Sequence, residues 1–509
     1  MKFDPKLYAN MQPYPPLGCL YAAAYLREKQ FDVAVFDAML ANSESEWDDA
    51  LTTHQPKYAI LYEDNFNYLS KMCLLRMREA AFKMIQMAKT KKCTVIVCGS
   101  DATDHVHEYL RAGADFILLG EGEVTLGILM DHLVGKEVTD LSQVDGLAYK
   151  KDDQGANDEN SLVQIGKRRK VIRDLEKIPS PAWDLVNIDS YRKVWLQRHG
   201  YFSMNLVSTR GCPYHCNWCA KPIWGQRYNV RKPQSVAAEM AYLHKMYQVN
   251  HIWFADDIMG LTPGWFAKLS EELEARKIKL PFKCLSRADL VLRGDTIEQL
   301  ARAGCEIIWL GAESGSQKIL DAMDKGTKVE EIYEATSRLQ AAGIRVAFFL
   351  QFGYPGEEFE DIKLTMKMVR ECAPDEIGIS VSYPLPGTKF YDAVSQQLRE
   401  KRNWVDSADL DMMYSGTFVT DFYRHLHKVV HKEFKTMQSF RYLKSEGIKS
   451  SVFGSKNVRK VAGMVYRATT LPLAWRKLRK LAQVPNDALG ALPKLMTHEE
   501  AAKPSPQSD

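Results

Sequence analysis

Nowhere in the 509 residues do about 18 apolar residues run together, so no segment reads as a bilayer-spanning helix. The first residues, Met1 Lys2 Phe3 Asp4 Pro5, lack the basic start and apolar run of a secretory leader, and a cytoplasmic protein is expected. Ten cysteines are too few and too scattered for a disulfide framework, which leaves them as thiols or metal ligands. Strong net charge is also lacking: the balance is +4. It is uneven, however, because Asp421 to Lys480 holds 15 Lys and Arg against 3 Asp and Glu, leaving −8 for the remaining 449 residues. A chain-wide affinity for nucleic acid is therefore not expected, whereas a local basic surface near the C-terminus is. With 46% hydrophobic and 26% charged residues the composition is globular, and the length suits about three domains.

The pattern is α/β. Short apolar runs at Asp32 to Asp37, Lys57 to Glu63, Cys93 to Gly99 and Asp115 to Gly120 alternate with helical periodicity at Gly18 to Lys29, about Tyr68 to Thr90 and Glu123 to Val134. This predicts a doubly wound, Rossmann-like unit over residues 1–138, with ligands beyond the strand ends at the loops starting at Gly99, Gly120 and Asp64. A polar stretch with a hairpin tip predicts a linker over 139–195. Six further runs, Phe202 to Ser208, His251 to Ala255, Phe282 to Ser286, Ile307 to Gly311, Val346 to Phe352 and Ile377 to Ser382, predict a partial (β/α)6 barrel over 196–398. A helical region over 399–484 and a disordered tail over 485–509 complete the expectation.

The most specific chemical feature is Arg210 Gly211 Cys212 Pro213 Tyr214 His215 Cys216 Asn217 Trp218 Cys219, a C-x3-C-x2-C triplet just after the first barrel strand. Three thiolates suit three irons of a cubane cluster and leave the fourth iron open to a ligand. Three unrelated buried cysteines, or a zinc site completed by His215, are the alternatives.

This spacing resembles the radical S-adenosylmethionine superfamily. The resemblance implies that Cys212, Cys216 and Cys219 hold a 4Fe-4S cluster whose open iron binds S-adenosylmethionine and cleaves it to a deoxyadenosyl radical. Trp218 matches the aromatic residue usual before the last cysteine. Later segments resemble the family's other elements in order: Trp253 to Asp257, with Asp256 and Asp257 near the methionine end of the cofactor; Ser286 Arg287 Ala288 Asp289; Gly311 to Ser316, with Glu313 and Ser314; Phe352 to Glu357, with Gly353; and Pro384 to Thr388. One of Asp256 and Asp257 has helix capping as an alternative role.

Tyr14 to Arg27, including Pro16, Leu17 and Gly18, is similar to the element that opens cobalamin-binding domains fused to such cores. Gly99, Ser100 and Thr103, and Gly120, Glu121 and Gly122, stand in the loops that this resemblance brings to the corrin. Plain turn chemistry is the alternative for the glycines. Asp104 and His107 are one residue too far apart for the family's axial-histidine motif, so cobalamin bound without a histidine ligand is expected. The family's first strand is missing, since Met1 to Gln12 is no β-strand, and corrin binding is expected to be weaker for it.

Leu410 to Phe418 and Phe422 to His427 partly resemble the anaerobic magnesium-protoporphyrin monomethyl ester cyclase subgroup. For His425, His427 and His431, ligand roles compete with an ordinary helix face. Trp475, Leu478 and Leu481 among Arg476, Lys477, Arg479 and Lys480 make either a membrane-surface helix or one packed on the barrel. The resemblance implies C–H functionalisation by methyl transfer first, and cyclase-like ring formation or hydroxylation of a porphyrin-like or lipid substrate second. It also implies a flavodoxin, ferredoxin or reductase as electron donor. A cobalamin or cluster sensor without turnover is the reading from another class.

Overall fold

The computed structural model describes residues 4–67, 71–151, 163–219, 224–398, 401–446 and 455–486. The expected hairpin tip and nearly all of the expected tail lie outside these residues.

Three parallel neighbours, β1 (Tyr58–Tyr62), β2 (Thr94–Cys98) and β3 (Phe116–Leu118), are extended by the antiparallel hairpin β4 (Leu147–Lys150) and β5 (Val163–Ile165). β2 reads TVIVC because both of its faces are covered. Val95 and Val97 enter one core under the helix Leu75–Thr90, while Ile96 and Cys98 enter another under the helices Leu17–Glu28 and Glu123–Leu133.

Two expectations are corrected. Asp32 to Asp37 is irregular, because among the described residues no strand pairs with it; its apolar side chains pack on helices without a ladder. The helix expected over about Tyr68 to Thr90 is interrupted after Lys71, because Cys73 takes a left-handed φ of 51° and Leu74 is extended, and Leu75–Thr90 is a helix of its own; residues 68–70 lie outside the described residues. Residues 5–10 form a short helix, and Asp4 accepts hydrogen bonds from Ser407 Oγ at 2.7 Å and Ser407 N at 2.9 Å.

The core is a six-stranded parallel sheet in unbroken chain order: β6 (Ser203–Leu206), β9 (His251–Phe254), β10 (Phe282–Ser286), β11 (Cys305–Glu313), β12 (Arg345–Phe352) and β13 (Glu376–Val381). Between β6 and β9, a two-residue hairpin pairs β7 (Thr209–Arg210) with β8 (Asn229–Val230). Alternate strand residues such as Phe254, Phe282 and Phe348 are fully buried with the covering helices. The other set, including Trp253, Lys283, Trp309 and Phe349, faces the opposite side.

The helices Thr420–Glu446 and Ser455–Leu481 pack on each other and on the core. Trp475 Nε1 donates to Glu433 at 3.1 Å and Leu478 is fully buried, so the apolar face considered for a membrane surface is turned inward. His425 Nε2 lies 3.0 Å from Ala474 O, and His427 faces His431. Among the described residues no helix is long and apolar enough to cross a membrane.

Candidate active site

Two loop systems meet at the C-terminal ends of the two sheets. The first is the cysteine loop. Gly211 has φ of 88°, and a Cβ there would lie 1.9 Å from Arg227 O, so only glycine lets the chain turn into the loop. Cys219 N donates to Cys216 O at 3.2 Å. The loop is pinned by Asn217, whose Nδ2 donates to Ala322 O at 2.7 Å while its Oδ1 accepts from Tyr354 OH at 2.8 Å. Its backbone N donates to Met323 O at 3.0 Å and its carbonyl accepts from Phe390 N at 3.0 Å. Burial, with Cys216 and Cys212 adding to it, pushes the Cys219 thiol up to about 12. Such a thiol binds metal by giving up a proton that the metal-free site holds tightly. Among the described residues no three His, Cys, Asp or Glu side chains close on a single ion. Thiols spread along one loop suit the separate irons of a cluster better than one zinc.

The residues expected around S-adenosylmethionine fall into two groups. Asp256 is committed to the fold: Oδ1 accepts from Ser208 N at 2.8 Å and Thr209 N at 2.9 Å, and Oδ2 from Ser208 Oγ. Ser314 is also internal, holding Ser316 N at 3.1 Å and facing Thr365 Oγ1. Gly353, with φ of 80°, donates to Glu357 at 2.6 Å and accepts from Tyr414 OH. The others reach the loop. Asp257 pairs with Lys71 at 2.5 Å through Oδ1, while its buried Oδ2 has no partner. Arg287 stacks 3.7 Å from the Tyr214 ring centroid and points Nη1 at Cys216 Sγ, 3.9 Å away. Glu313 holds a left-handed φ of 57° and pairs with Lys325 at 3.0 Å. Trp218 Nε1 is buried without a partner.

The second system belongs to the N-terminal sheet. Thr103 Oγ1 donates to Gly99 O at 2.8 Å and accepts from Gly120 N at 3.2 Å, tying two loops together beside Ser100. Gly18 N donates to Asp64 at 3.0 Å, which brings the segment Pro16 to Gly18 to the end of β1. A Cβ at Gly99 would lie 2.2 Å from Glu63 Oε2, so this glycine makes room for the chain's own carboxylate, in line with plain turn chemistry. Gly122 likewise abuts Cys98 and Tyr62. Asn65 is 1% exposed, and neither its amide nitrogen nor its oxygen has a partner. Tyr62 OH and Glu123 Oε2 are also buried and unpartnered. Orphaned polar atoms at these strand ends fit a large polar ligand.

The two systems are joined by Arg210, which in the sequence stands out only as the first residue of the cysteine motif. Nη1 donates to Glu121 at 2.6 Å and Nη2 to Glu123 at 2.8 Å, with side chains 3%, 4% and 1% exposed. The guanidinium lies 4.6 Å from the Trp224 ring centroid and 5.3 Å from that of Tyr21. Burial alone would lower the guanidinium pKa, but Glu123 and Glu121 together raise it. Glu121 also accepts from Ile172 N at 2.5 Å. Its carboxylate is thus saturated by protein partners, which makes it a positioning group.

Residues 206–369 match the radical SAM superfamily. An uncharacterised methyltransferase of Pyrococcus horikoshii is 24% identical over 412 residues, covering 78% of this chain and 82% of that protein. The anaerobic magnesium-protoporphyrin IX monomethyl ester cyclase of a Synechocystis species is 26% identical over 403 residues, covering 75% and 73%. The solved cobalamin-dependent S-adenosylmethionine radical enzyme OxsB, with aqua-cobalamin bound, superposes with a TM-score of 0.68 at 18% identity, covering 93% of this chain and 71% of that one. Fold, cysteine loop and family match agree: residues 206–369 form a radical S-adenosylmethionine domain of the enzyme type. Such enzymes require a reductant and a small-molecule substrate.

Asn217→Ala should remove the two side-chain hydrogen bonds, to Ala322 O and from Tyr354 OH, and cost about 1–3 kcal/mol. The expected outcome is a folded protein that retains less iron after anaerobic reconstitution; unchanged iron content would remove the pinning role. Burial pushes the Glu357 carboxyl up to about 8 from its ordinary 4.5. Because the folded pKa is raised, the stability this group contributes is complete at low pH and is lost as pH rises through about 8. Glu357→Gln should therefore be the more stable protein at pH 8, by at least about 1 kcal/mol, and lose that advantage near pH 5, as read by urea denaturation at the two pH values.

Proposed function

We propose that this chain is a cobalamin-dependent radical S-adenosylmethionine enzyme that functionalises an unactivated C–H bond, by methyl transfer in the first reading. The observation that carries the proposal is Arg210, which binds the loop of the three cysteines to the loop Gly120–Glu123 in one buried contact. The contact holds the strand-end loops of the two sheets next to each other, which is what two bound groups acting on one substrate require. The name methyltransferase on one relative supports methyl transfer. The name cyclase on another supports oxidative ring formation as the second reading.

In this reading residues 1–138 hold the corrin, 139–195 link, 196–398 form the core, and 399–484 cover it, followed by a tail over 485–509. Cys212, Cys216 and Cys219 hold the 4Fe-4S cluster. Asp257, with one buried oxygen free, receives the ammonium of S-adenosylmethionine, while Asp256 keeps Ser208 and Thr209 in place beneath the loop. Glu313, fixed by Lys325, accepts from ribose hydroxyls, and Trp218, Arg287, Ser314 and Gly353 shape the same pocket. Pro16, Leu17, Gly18, Gly99, Ser100, Thr103, Gly120, Glu121 and Gly122 form the corrin cradle, where Asn65 offers a donor and an acceptor to corrin amides. The bound groups supply the hard chemistry, namely radical formation from S-adenosylmethionine and a methyl group on cobalt. A flavodoxin or ferredoxin in the cytoplasm is the proposed reductant. With Leu478 buried, any membrane contact falls to Arg476, Lys477, Arg479 and Lys480.

Anaerobic reconstitution with iron, sulfide and hydroxocobalamin should give about four irons and about one cobalt per chain, with deoxyadenosine formed under dithionite. Iron and deoxyadenosine without cobalt would overturn the corrin. Transfer of label from deuterated methyl-S-adenosylmethionine into product separates methyl transfer from the oxidative reading.

A further inference from the structure

The six-stranded sheet is sealed on one face only. On the helix side Phe254, Phe282, Ile308, Leu310, Phe348 and Leu350 are at most 1% exposed. On the other face Trp253, Lys283, Leu285, Trp309 and Gly311 are half-buried, and Phe349 is 38% exposed. A partly open strip of aromatic and apolar side chains with one charged group among them is the usual lining of a small-molecule site.

The strip has two ends. Alternate residues of a strand share a face, so Lys283, Leu285 and Arg287 lie in line along β10. Arg287 ends the line at the cysteine loop, with Nη1 3.9 Å from Cys216 Sγ. Lys283 stands at the other end, about 13 Å away at the rise of an extended strand. Between them the neighbouring strands set Trp309 beside Leu285 and Phe349 beside Gly311. The Trp309 and Phe349 rings lie 4.6 Å apart between centroids. Gly378, opposite Phe349 on β13, leaves them room, since a Cβ there would lie 3.2 Å from Trp309 and 3.3 Å from Phe349.

Lys283 is the odd member. Its Nζ lies 4.5 Å from the Trp253 ring centroid and 5.5 Å from that of Tyr14, and among the described residues it has no ion-pair partner. Glu306 and Glu376, whose charges reach it, are engaged by Arg345 at 2.5 Å and 3.7 Å. Burial pulls the Lys283 pKa below its ordinary value, and Tyr201, Glu376 and Glu306 recover only part of that shift. Lysine is rarely so enclosed without a partner, and ring faces meet only part of an ammonium's need for negative charge.

We propose that this strip seats the substrate, and that the substrate is an elongated, largely apolar or aromatic molecule bearing one carboxylate: the carboxylate pairs with Lys283, the body lies on Trp309 and Phe349, and the carbon to be functionalised reaches the cysteine loop beside Arg287. One cation matches one negative charge, which favours a carboxylate over a phosphate carrying nearly two. The inference rests on the proposed function, because a reaction at the cysteine loop is what gives the far end of the strip its role.

The test is a fluorescence titration of the full chain with pyrene-1-butyrate and with its uncharged methyl ester. The acid should bind at least about tenfold more tightly than the ester, the scale of one charge-assisted hydrogen bond. Lys283→Met should bring the two to within about twofold of each other, and Trp309→Ala should weaken both. Equal binding of acid and ester by the unaltered chain would overturn the proposal. So would a preference that survives in Lys283→Met, or unchanged binding in Trp309→Ala, because the probe would then sit elsewhere, as in the cavity of about 1000 Å³ beside β1. No iron or cobalt is added, so a failure here is separate from a failure of the cofactor reconstitution.

Discussion

The arrangement depends on one buried cation. Arg210 stands at the end of the hairpin that delivers the cysteine loop, and both of its carboxylate partners lie in the N-terminal unit. Three charges taken out of water are costly, and their mutual attraction roughly offsets that cost when geometry and hydrogen bonds are complete. The contact therefore contributes little net stability and much specificity: any docking that moved the loop Gly120–Glu123 relative to Arg210 would leave at least one buried charge alone. The aromatic rings of Trp224, Tyr21 and Phe66 close round the guanidinium, so water cannot easily take the place of a lost carboxylate. Register between the two halves is thereby set to within a hydrogen-bond length.

Once the halves are locked, the carboxylates near the cysteine loop divide by duty. Asp256 and Asp257 are adjacent in sequence but differ in what is left on them. Asp256 is saturated by Ser208 and Thr209, and burial raises its pKa to about 7. Asp257 has given one oxygen to Lys71 and keeps the other bare. Lys71 comes from the N-terminal unit, so the charge balance at this carboxylate is another property of the docked pair. Glu313 and Lys325 repeat the scheme inside the barrel, where each neutralises the other in a dry site.

Much of this was legible in the sequence because it is local. The barrel strands are apolar runs spaced by helices, and chain order is also sheet order, so no pairing had to be guessed. The cysteine loop is given by spacing within ten residues. What failed or was missed depends on distant partners. Asp32–Asp37 has the alternation of a strand, yet strand formation needs a neighbour that the local pattern does not contain. Asn217 looks like any residue between two cysteines; its importance comes from Tyr354, 137 positions later. Arg210 meets Glu121 and Glu123 across 89 and 87 positions. Likewise the letters Asp-Asp at 256–257 cannot say which carboxylate is spent on backbone amides.

The glycines show how such a motif separates into causes. Gly211 is required by the backbone of Arg227, and Gly99 by the Glu63 side chain, so neither owes its identity to a bound molecule alone. Glu63 is half-buried at the end of β1, and desolvation pushes its carboxyl pKa upward, with Asp101 adding to the rise. It stands at the very strand ends where the N-terminal loops converge, with the backbone N–H groups of Asp101 and Ser100 opposing the rise. Behind them Arg78 balances Asp101 in a buried bidentate pair. The loops can converge because their fully buried acids are paired, Asp101 with Arg78, and Glu121 and Glu123 with Arg210, so that each carboxylate meets a cation rather than another carboxylate.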